Sequence, residues 1–416
     1  MINPPSNDPD AQKKQPRRFM GRSIALIGSA ANAGEWAQAK RQQENAPQPI
    51  RPPAGLKAVI FGHTGQGDYG HELDEIFRNR AGIELVAVAD ANPAGLSKAV
   101  ARLKPQRSYA DYRELLERER PDLVCIALRR ADQHYAMARA ALMAGANLFV
   151  EKPFTTDLVQ AGELIAEARK KGLKIAVAHQ MRLAPNIIHL HQIIKGGMIG
   201  ELLEIRAWGK QDLRAGGEDM MVLGIHQFDL IRMFAGEPLW CSARAMQNGL
   251  EITQRDGRLT EDNVGPVAGD EIFAHFAFSG GVNVTWQSRR KLRDQLGNWG
   301  IDFQGSEGAA RINCNVPPSV YTLRRGSWSE DGRSDRWEPL STDPTRNDYP
   351  GRSAFAIANT RLVDDWLDSI RSDREPVCNA TNAMKAIEMA MGVYQGALQG
   401  TRVSFPLRDR QHPFIR

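Results

Sequence analysis

Cysteine is scarce and scattered in this chain. Cys125, Cys241, Cys314 and Cys378 are far apart and form no C-x-x-C pair. That spacing suggests neither a zinc site nor a dithiol redox centre, and no metal site is expected. Cys125 lies in the apolar run Leu123-Val124-Cys125-Ile126-Ala127, where a buried, inert thiol is the natural reading. Long apolar runs are lacking too. Nothing approaches the ~18 consecutive apolar residues needed to span a bilayer, so no membrane span is expected. A broad basic face is also missing. The net charge is +5, but eight Lys/Arg against four Asp/Glu up to Arg51 place +4 there and leave +1 for the rest. A near-neutral body offers little to a phosphate backbone, and nucleic acid is not an expected partner. What the chain does have is length. Its 416 residues suit two domains of roughly 100–200 residues with some extra, and such a length buries a core without disulfide staples.

Residues 1–54 read as a signal-like tail and linker. Arg17-Arg18-Phe19-Met20 precedes a weakly apolar stretch from Ser23 to Ala33 that ends in Ala31-Asn32-Ala33. A basic region, a short apolar region and an A-x-A site together form a secretory pattern. The adjacent arginines give it a twin-arginine character. No spacer separates the arginines from Phe19, and Arg22 interrupts the apolar stretch. Export, to a periplasm for example, is the expectation, with a cytoplasmic protein carrying a basic tail as the alternative. Gln38 to Ala54 reads as a Pro-rich linker.

The body begins with an apolar run, Lys57 to Phe61, that reads as a buried strand. It enters Gly62-His63-Thr64-Gly65-Gln66-Gly67-Asp68-Tyr69-Gly70-His71 directly. A helical pattern with Leu73, Ile76 and Phe77 follows, then a strand from Ile83 to Ala89, then Asp90. Gly65, Gly67 and Gly70 fit G-x-G-x-x-G in the strand–loop–helix–strand–acid context that binds a dinucleotide. Gly62 makes the loop three residues longer than the minimal motif. The expected helix N-terminus would hold the pyrophosphate. Asp90, twenty residues past Gly70, would bond the ribose hydroxyls and repel a 2′-phosphate, so NAD is expected over NADP. Further helices (Tyr112 to Glu119, Ala131 to Ala144, Leu158 to Lys171) alternate with strands (Leu123 to Leu128, Asn147 to Val150, Lys174 to Ala178). Such alternation predicts a doubly wound parallel sheet.

Phe149-Val150-Glu151-Lys152-Pro153 is the decisive segment. An E-K-P at the end of a late strand, with His134, Ala144-Gly145-Ala146-Asn147, Arg182, Pro185, Lys195 to Gly200, Gly216-Gly217, Gly224-Ile225-His226 and Asp229, resembles the Gfo/Idh/MocA family. The family comprises dehydrogenases and related enzymes of sugars, inositols and their derivatives. The resemblance covers about residues 57 to 405. It implies an α/β fold: a Rossmann-type doubly wound parallel sheet at 55–180, then an α+β domain at 181–416 with a large, mostly antiparallel open sheet. It also implies C-terminal helices that pack partly on the first domain, and a homo-oligomer. Leu202 to Lys210, Ala243 to Gly249, Glu271 to Phe278 and Val282 to Ser288 read as strands of the second sheet, with a hairpin turn at Ser279-Gly280-Gly281. Ala354 to Ile370 reads as a long helix packed by Phe355, Leu362, Val363, Trp366 and Ile370.

Oxidation of a carbinol requires a base that takes the hydroxyl proton as hydride leaves. Lys152 matches the family residue for that task, with Glu151 bonding the cofactor or orienting Lys152, and His226 as base or substrate ligand. His134 matches the family's strand-end histidine and is expected at the cofactor with Gly62, Gly65, Gly67, Gly70 and Asp90. The family places Asp four residues before its helix histidine, where this chain has Val222. Asp212, Asp219 and Asp229 are the candidates to replace that carboxylate. The family also often has Thr-Pro where this chain has Arg129-Arg130. Those arginines could hold a carboxylate or phosphate, or simply flank the mouth in solvent. His179, Gln180 and Arg182, at a strand end, are candidate substrate residues. The leading expectation is an NAD-dependent oxidoreductase of a small carbohydrate-like substrate. The alternatives are redox-assisted glycoside cleavage with tightly held NAD, and a dinucleotide-bound sensor without turnover.

Overall fold

The computed structural model describes residues 55–290, 298–330, 335–340 and 352–415. The tail expected at 1–54 lies outside them. Six parallel strands form the first sheet: β1 (Leu56–Phe61), β2 (Ile83–Ala89), β3 (Arg107–Tyr109), β4 (Leu123–Ile126), β5 (Asn147–Val150) and β6 (Ile175–Val177). Their order is β3-β2-β1-β4-β5-β6, which reverses direction at β1. In such sheets ligands bind outside the strand C-termini at that reversal. The helices between them are capped as their sequences direct. Asn92 and Pro93 open α1 (Pro93–Leu103), and Asp111 opens α2 (Tyr112–Glu119). The helix α3 (His134–Met143) follows β4. Asp157 then opens α4 (Leu158–Lys171), which Gly172 closes in a left-handed conformation.

The helix expected after the glycine loop does not form. Gly70–Glu75 is a six-residue 3₁₀ segment broken by His71 (φ 49°) and Glu72 (φ 59°) in left-handed conformation. The lengthened loop carries both residues away from α-helical geometry, and side chains hold them there. Asn359 Nδ2 donates to the His71 carbonyl (2.7 Å), and Ser353 Oγ donates to the Glu72 carboxylate (2.7 and 2.8 Å).

After α5 (Pro185–Lys195) the chain builds the second sheet on β7 (Leu202–Trp208). A single π turn at Met220–Gly224 leads into α6 (Ile225–Ala235). The other strands are β8 (Pro238–Gln247), β9 (Leu250–Glu251), β10 (Glu271–Phe278), β11 (Asn283–Arg289), β12 (Gly300–Gly305), β13 (Ala309–Asn313), β14 (Ser319–Leu323) and β15 (Glu338–Pro339). The helices α7 (Ala354–Arg371) and α8 (Ala380–Gln399) and the strand β16 (Val403–Ser404) complete the chain. Pairing is antiparallel except between β7 and β11. Alternation along β10 buries Ile272, Ala274, Phe276 and Phe278, as expected for a sheet with one covered face.

The helix α7 packs on the first sheet. Leu362, Val363, Trp366 and Leu367 join Ile60, Val88, Cys125 and Phe149 in one buried cluster. Trp366 meets Phe149 edge-on, with ring centroids 5.7 Å apart. This helix covers a face that the truncated 3₁₀ segment leaves partly to other elements. All four cysteines are buried and unbridged, and burial pushes the Cys125 thiol well up. Among the described residues no helix is long and apolar enough to cross a membrane, and no group of three His, Cys, Asp or Glu is placed to hold a metal.

Candidate active site

The glycines of the loop permit close approach, but to the chain's own atoms. Gly67 (φ +99°) would place a Cβ 2.6 Å from Arg130 N, and a Cβ at Gly62 would enter the Tyr69 ring at 2.1 Å. Gly70 N donates to Ala127 O (2.6 Å), and Arg129 N donates to Gly67 O (3.1 Å), so the loop is laid on the segment leaving β4. Gly65 has open space beside it. The expected helix N-terminus is absent, so any pyrophosphate here would meet loop backbone instead. Asp90, buried at the end of β2, accepts from Thr64 N, Thr64 Oγ1 (2.7 Å) and Asn92 N (2.9 Å). It also lines a cleft of about 430 Å³ with Gly62, His63, Tyr112 and Gln133, a size in the range of small-molecule sites.

Glu151 and Lys152 leave β5 beneath the loop. Glu151 is fully buried, with Oε1 3.2 Å from His71 Nδ1 and 4.0 Å from Lys152 Nζ. Burial pushes its carboxyl up, but His71 and Lys152 outweigh that and hold it below the usual range. Lys152 is buried, and burial lowers its ammonium despite the opposing Glu151 and Asp262. Its Nζ donates to Val222 O at 3.2 Å. Val222 lies within the π turn at Met220–Gly224. At the position where the family carries a carboxylate, this chain thus offers Lys152 a backbone oxygen.

The three candidate acids, Asp212, Asp219 and Asp229, are committed elsewhere. Asp219 accepts from Lys210 N (3.2 Å), Gln211 N (3.0 Å) and Ser288 Oγ (2.6 Å), which fixes the loop after β7. Asp212 pairs with Arg214 at 2.6 Å, and Arg214 reaches Asp262 at 3.7 Å. Asp229 is gripped by Arg182, with Nε to Oδ2 and Nη2 to Oδ1 both 2.8 Å. Arg182 and Asp229, both candidates for substrate contact, spend their charged atoms on each other.

His226 enters the same buried space from α6. Its Nδ1 has no hydrogen-bond partner, and neither ring nitrogen of His179 has one. The two rings lie 5.1 Å apart, and Trp299 meets His226 edge-on at 6.2 Å. Burial, with the Lys152 charge second, drives His226 well below its ordinary range, and burial lowers His179. Both rings are thus neutral at pH 7 and able to donate or accept. Buried polar atoms are normally satisfied, so these orphaned nitrogens beside Lys152 mark a place for a polar ligand.

The remaining expected residues are held by other partners. His134 is fully buried, and its ring nitrogens lie 2.7 Å from Pro153 O and 2.8 Å from Leu128 O. It clamps the E-K-P segment to the end of β4, leaving no ring nitrogen to meet a cofactor as expected. Gln180 Nε2 donates to Asn359 Oδ1 (3.2 Å). Arg129 is half exposed, with Nε donating to Gly67 O at 3.4 Å. Arg130 binds Gln66. The sequence reading passed over His71 and Asn359. Asn359 was legible as a polar residue on the apolar stripe of α7, four residues after Phe355 and three before Leu362.

Comparison with known proteins places the fold in a family. Residues 56–179 match the Gfo/Idh/MocA oxidoreductase family, NAD-binding Rossmann fold, and residues 193–405 match its C-terminal alpha/beta domain. The D-apiose dehydrogenase of Paraburkholderia graminis is 22% identical over 84% of this chain and 91% of its own length. A glycosyl hydrolase family 109 protein of Shewanella amazonensis is 27% identical over 46% of this chain and 44% of its own. A levoglucosan dehydrogenase solved with NADH and levoglucosan shares the fold at TM-score 0.69 and 18% identity, over 85% of this chain and 100% of that one. The two matched domains, in chain order and over most of the described residues, make the chain a member of the Gfo/Idh/MocA family of nicotinamide-dependent oxidoreductases.

Proposed function

We propose that the protein oxidises a carbinol of a sugar, polyol or inositol derivative, with Lys152 removing the hydroxyl proton. One observation carries this reading. A buried lysine with a lowered ammonium, held at 3.2 Å by Val222 O, faces two neutral histidines with unpartnered nitrogens. A polyhydroxylated substrate supplies the hydroxyls that such nitrogens need. The sugar dehydrogenases among the relatives support the substrate class.

The residues present fit a nicotinamide dinucleotide at both ends. The cleft at Asp90 suits the adenosine, and the unpartnered Glu151 Oε2 beside Lys152 suits the other end. Asp90 favours NAD over NADP, because a carboxylate there repels a 2′-phosphate. When bound, the nicotinamide supplies the hydride acceptor. The chain itself must then take the carbinol proton at Lys152 Nζ, orient the hydroxyls through His226 and His179, and exclude water. Purified protein with NAD and a carbohydrate panel should form NADH, and Lys152→Ala should lose this. No NADH from any sugar at any pH counts against the reading.

Redox-assisted glycoside cleavage is the second reading, favoured by the similarity to a glycosyl hydrolase family 109 protein. Aglycone release without net NADH would select it. Two further readings accompany the first. Copies of the chain associate through the open sheet face bearing Arg206, Trp208 and Phe273, tested by light scattering. Export depends on Arg17-Arg18, tested by fractionating cells that express an Arg17→Lys, Arg18→Lys variant.

A further inference from the structure

A buried base that takes a proton must lose it before the next turnover. On one side of Lys152 the path is closed. Val222 O accepts a hydrogen bond from Nζ, but a backbone carbonyl cannot pass a proton on. His226, His179 and Asp229 continue that side inward, each less than a tenth exposed, and end on Arg182. The other side leads out. Glu151 Oε1 stands 4.0 Å from Lys152 Nζ and 3.2 Å from His71 Nδ1, and the His71 side chain is 29% exposed.

His71 is placed with some effort. Its left-handed backbone is uncommon for a residue with a side chain. Asn359 holds its carbonyl, Ser353 holds the neighbouring Glu72, and the Phe355 ring lies 5.0 Å from the imidazole. Non-glycine residues held in such conformations concentrate at functional sites.

We propose that His71 is the solvent end of a proton relay that runs from Lys152 through Glu151. The relay rests on Lys152 as the base of the proposed reaction. The carbinol O–H breaks and its proton joins the neutral amine of Lys152, while hydride leaves carbon for a nicotinamide dinucleotide and C–O becomes C=O. The ammonium, 4.0 Å from Glu151 Oε1, must swing onto it to pass one proton to the carboxylate. His71, which at rest donates from Nδ1 to Glu151, shifts its own proton to Nε2 through water and accepts the new one at Nδ1. It then releases the Nε2 proton to water and is back in its resting Nδ1–H form. Lys152 is again a neutral amine, and one proton has reached solvent. Asp262, Arg214 and Arg129 face Lys152, His134 faces Glu151, and Glu72 adjoins His71, so these charges also shape the pH response.

His71→Asn retains a donor to Glu151 but cannot cycle a proton. In the full chain, with NAD and a sugar that the parent oxidises, kcat should fall about tenfold or more with KM little changed. The solvent isotope effect should grow. Added imidazole should restore His71→Ala in a saturable, pH-dependent way. His71→Gln is a second variant held to the same outcomes as His71→Asn. An unchanged kcat, pH profile and isotope effect in these variants, or a His71→Ala that imidazole does not restore, overturns the relay while leaving the dehydrogenase reading intact. Labelling of Lys152 by a small amine-reactive reagent across pH needs no turnover. It should follow two coupled ionisations in the parent and one in His71→Asn. Identical curves overturn the relay. A parent that oxidises no sugar overturns the dehydrogenase reading instead, and the labelling curves still decide whether His71 and Lys152 are coupled.

Discussion

Burial and Glu151 pull the Lys152 ammonium in opposite directions, and burial wins. A lowered ammonium supplies more neutral amine near pH 7, and only the neutral amine accepts a proton. Oxidation should therefore quicken as pH rises through the lowered lysine pKa, and the reverse reduction should quicken as pH falls through it. Initial rates in both directions against pH check this. Lys152→Met should keep the fold and lose about 10²–10⁴-fold in kcat. A variant that retains parental rates would remove Lys152 from the chemistry. The sequence pointed to Lys152 and His226 through their side chains, and the structure brings the two into one buried space. The Val222 carbonyl was not legible in it, since every residue has one and only the local turn determines where it points. The sequence revealed a missing carboxylate at Val222 but gave no sign that the backbone there meets Lys152.

Among the elements, the π turn at Met220–Gly224 brings Val222 O to Lys152. Gly224 closes it against Trp286, whose ring would lie 3.0 Å from an added Cβ. Trp286 in turn donates to Gln227 Oε1 at 2.7 Å. Gly224→Ala should cost about 1–3 kcal/mol through overpacking, read as a lowered denaturant midpoint. An unchanged midpoint would show that the turn has slack. The Arg182–Asp229 pair ties the segment after β6 to α6. Arg182→Met leaves Asp229 buried and unpaired, at a cost of about 3–5 kcal/mol. Arg182→Met with Asp229→Leu should regain much of it. If the double variant is no more stable than the single, the two residues are not coupled. Helix and strand periodicity made most elements of the first sheet legible, along with β10, β11 and α7. The 3₁₀ segment after the glycine loop was misread as an α-helix. Leu73, Ile76 and Phe77 have helical spacing and are buried as that spacing predicts. The tethers on His71 and Glu72 come from α7, nearly three hundred residues away, and local pattern cannot register them.

For the molecule as a whole, contacts between distant segments decide stability. Glu237 joins α6 to α8 through Arg232 (2.6 Å) and Lys385 (2.9 Å). Partial burial pushes its carboxyl up, but hydrogen bonds from Arg232 and Lys385 outweigh that and hold it at about 2. An unfolded glutamate titrates near ~4.3. The stabilisation is therefore present above that value and fades as pH falls from there towards about 2. Glu237→Gln should flatten the acid side of a stability–pH curve in that window. A curve that keeps the parent's slope would assign the acid sensitivity elsewhere. The parallel, doubly wound character of the first sheet followed from strand–helix alternation. The second sheet was only partly legible, because β12 to β15 are short and their pairings are set by partners in three dimensions.

The helix α7 finishes the first sheet with Leu362, Val363, Trp366 and Leu367, which are made long after that sheet. During synthesis, domains ordinarily fold as units from the N-terminus onward. Phe77 and Phe149, which Trp366 packs against, are then expected to lack that cover until most of the chain has been translated. A fragment ending at Ala178 should bind a hydrophobic dye and aggregate. The same fragment mixed with a peptide of residues 352–375 should do so less.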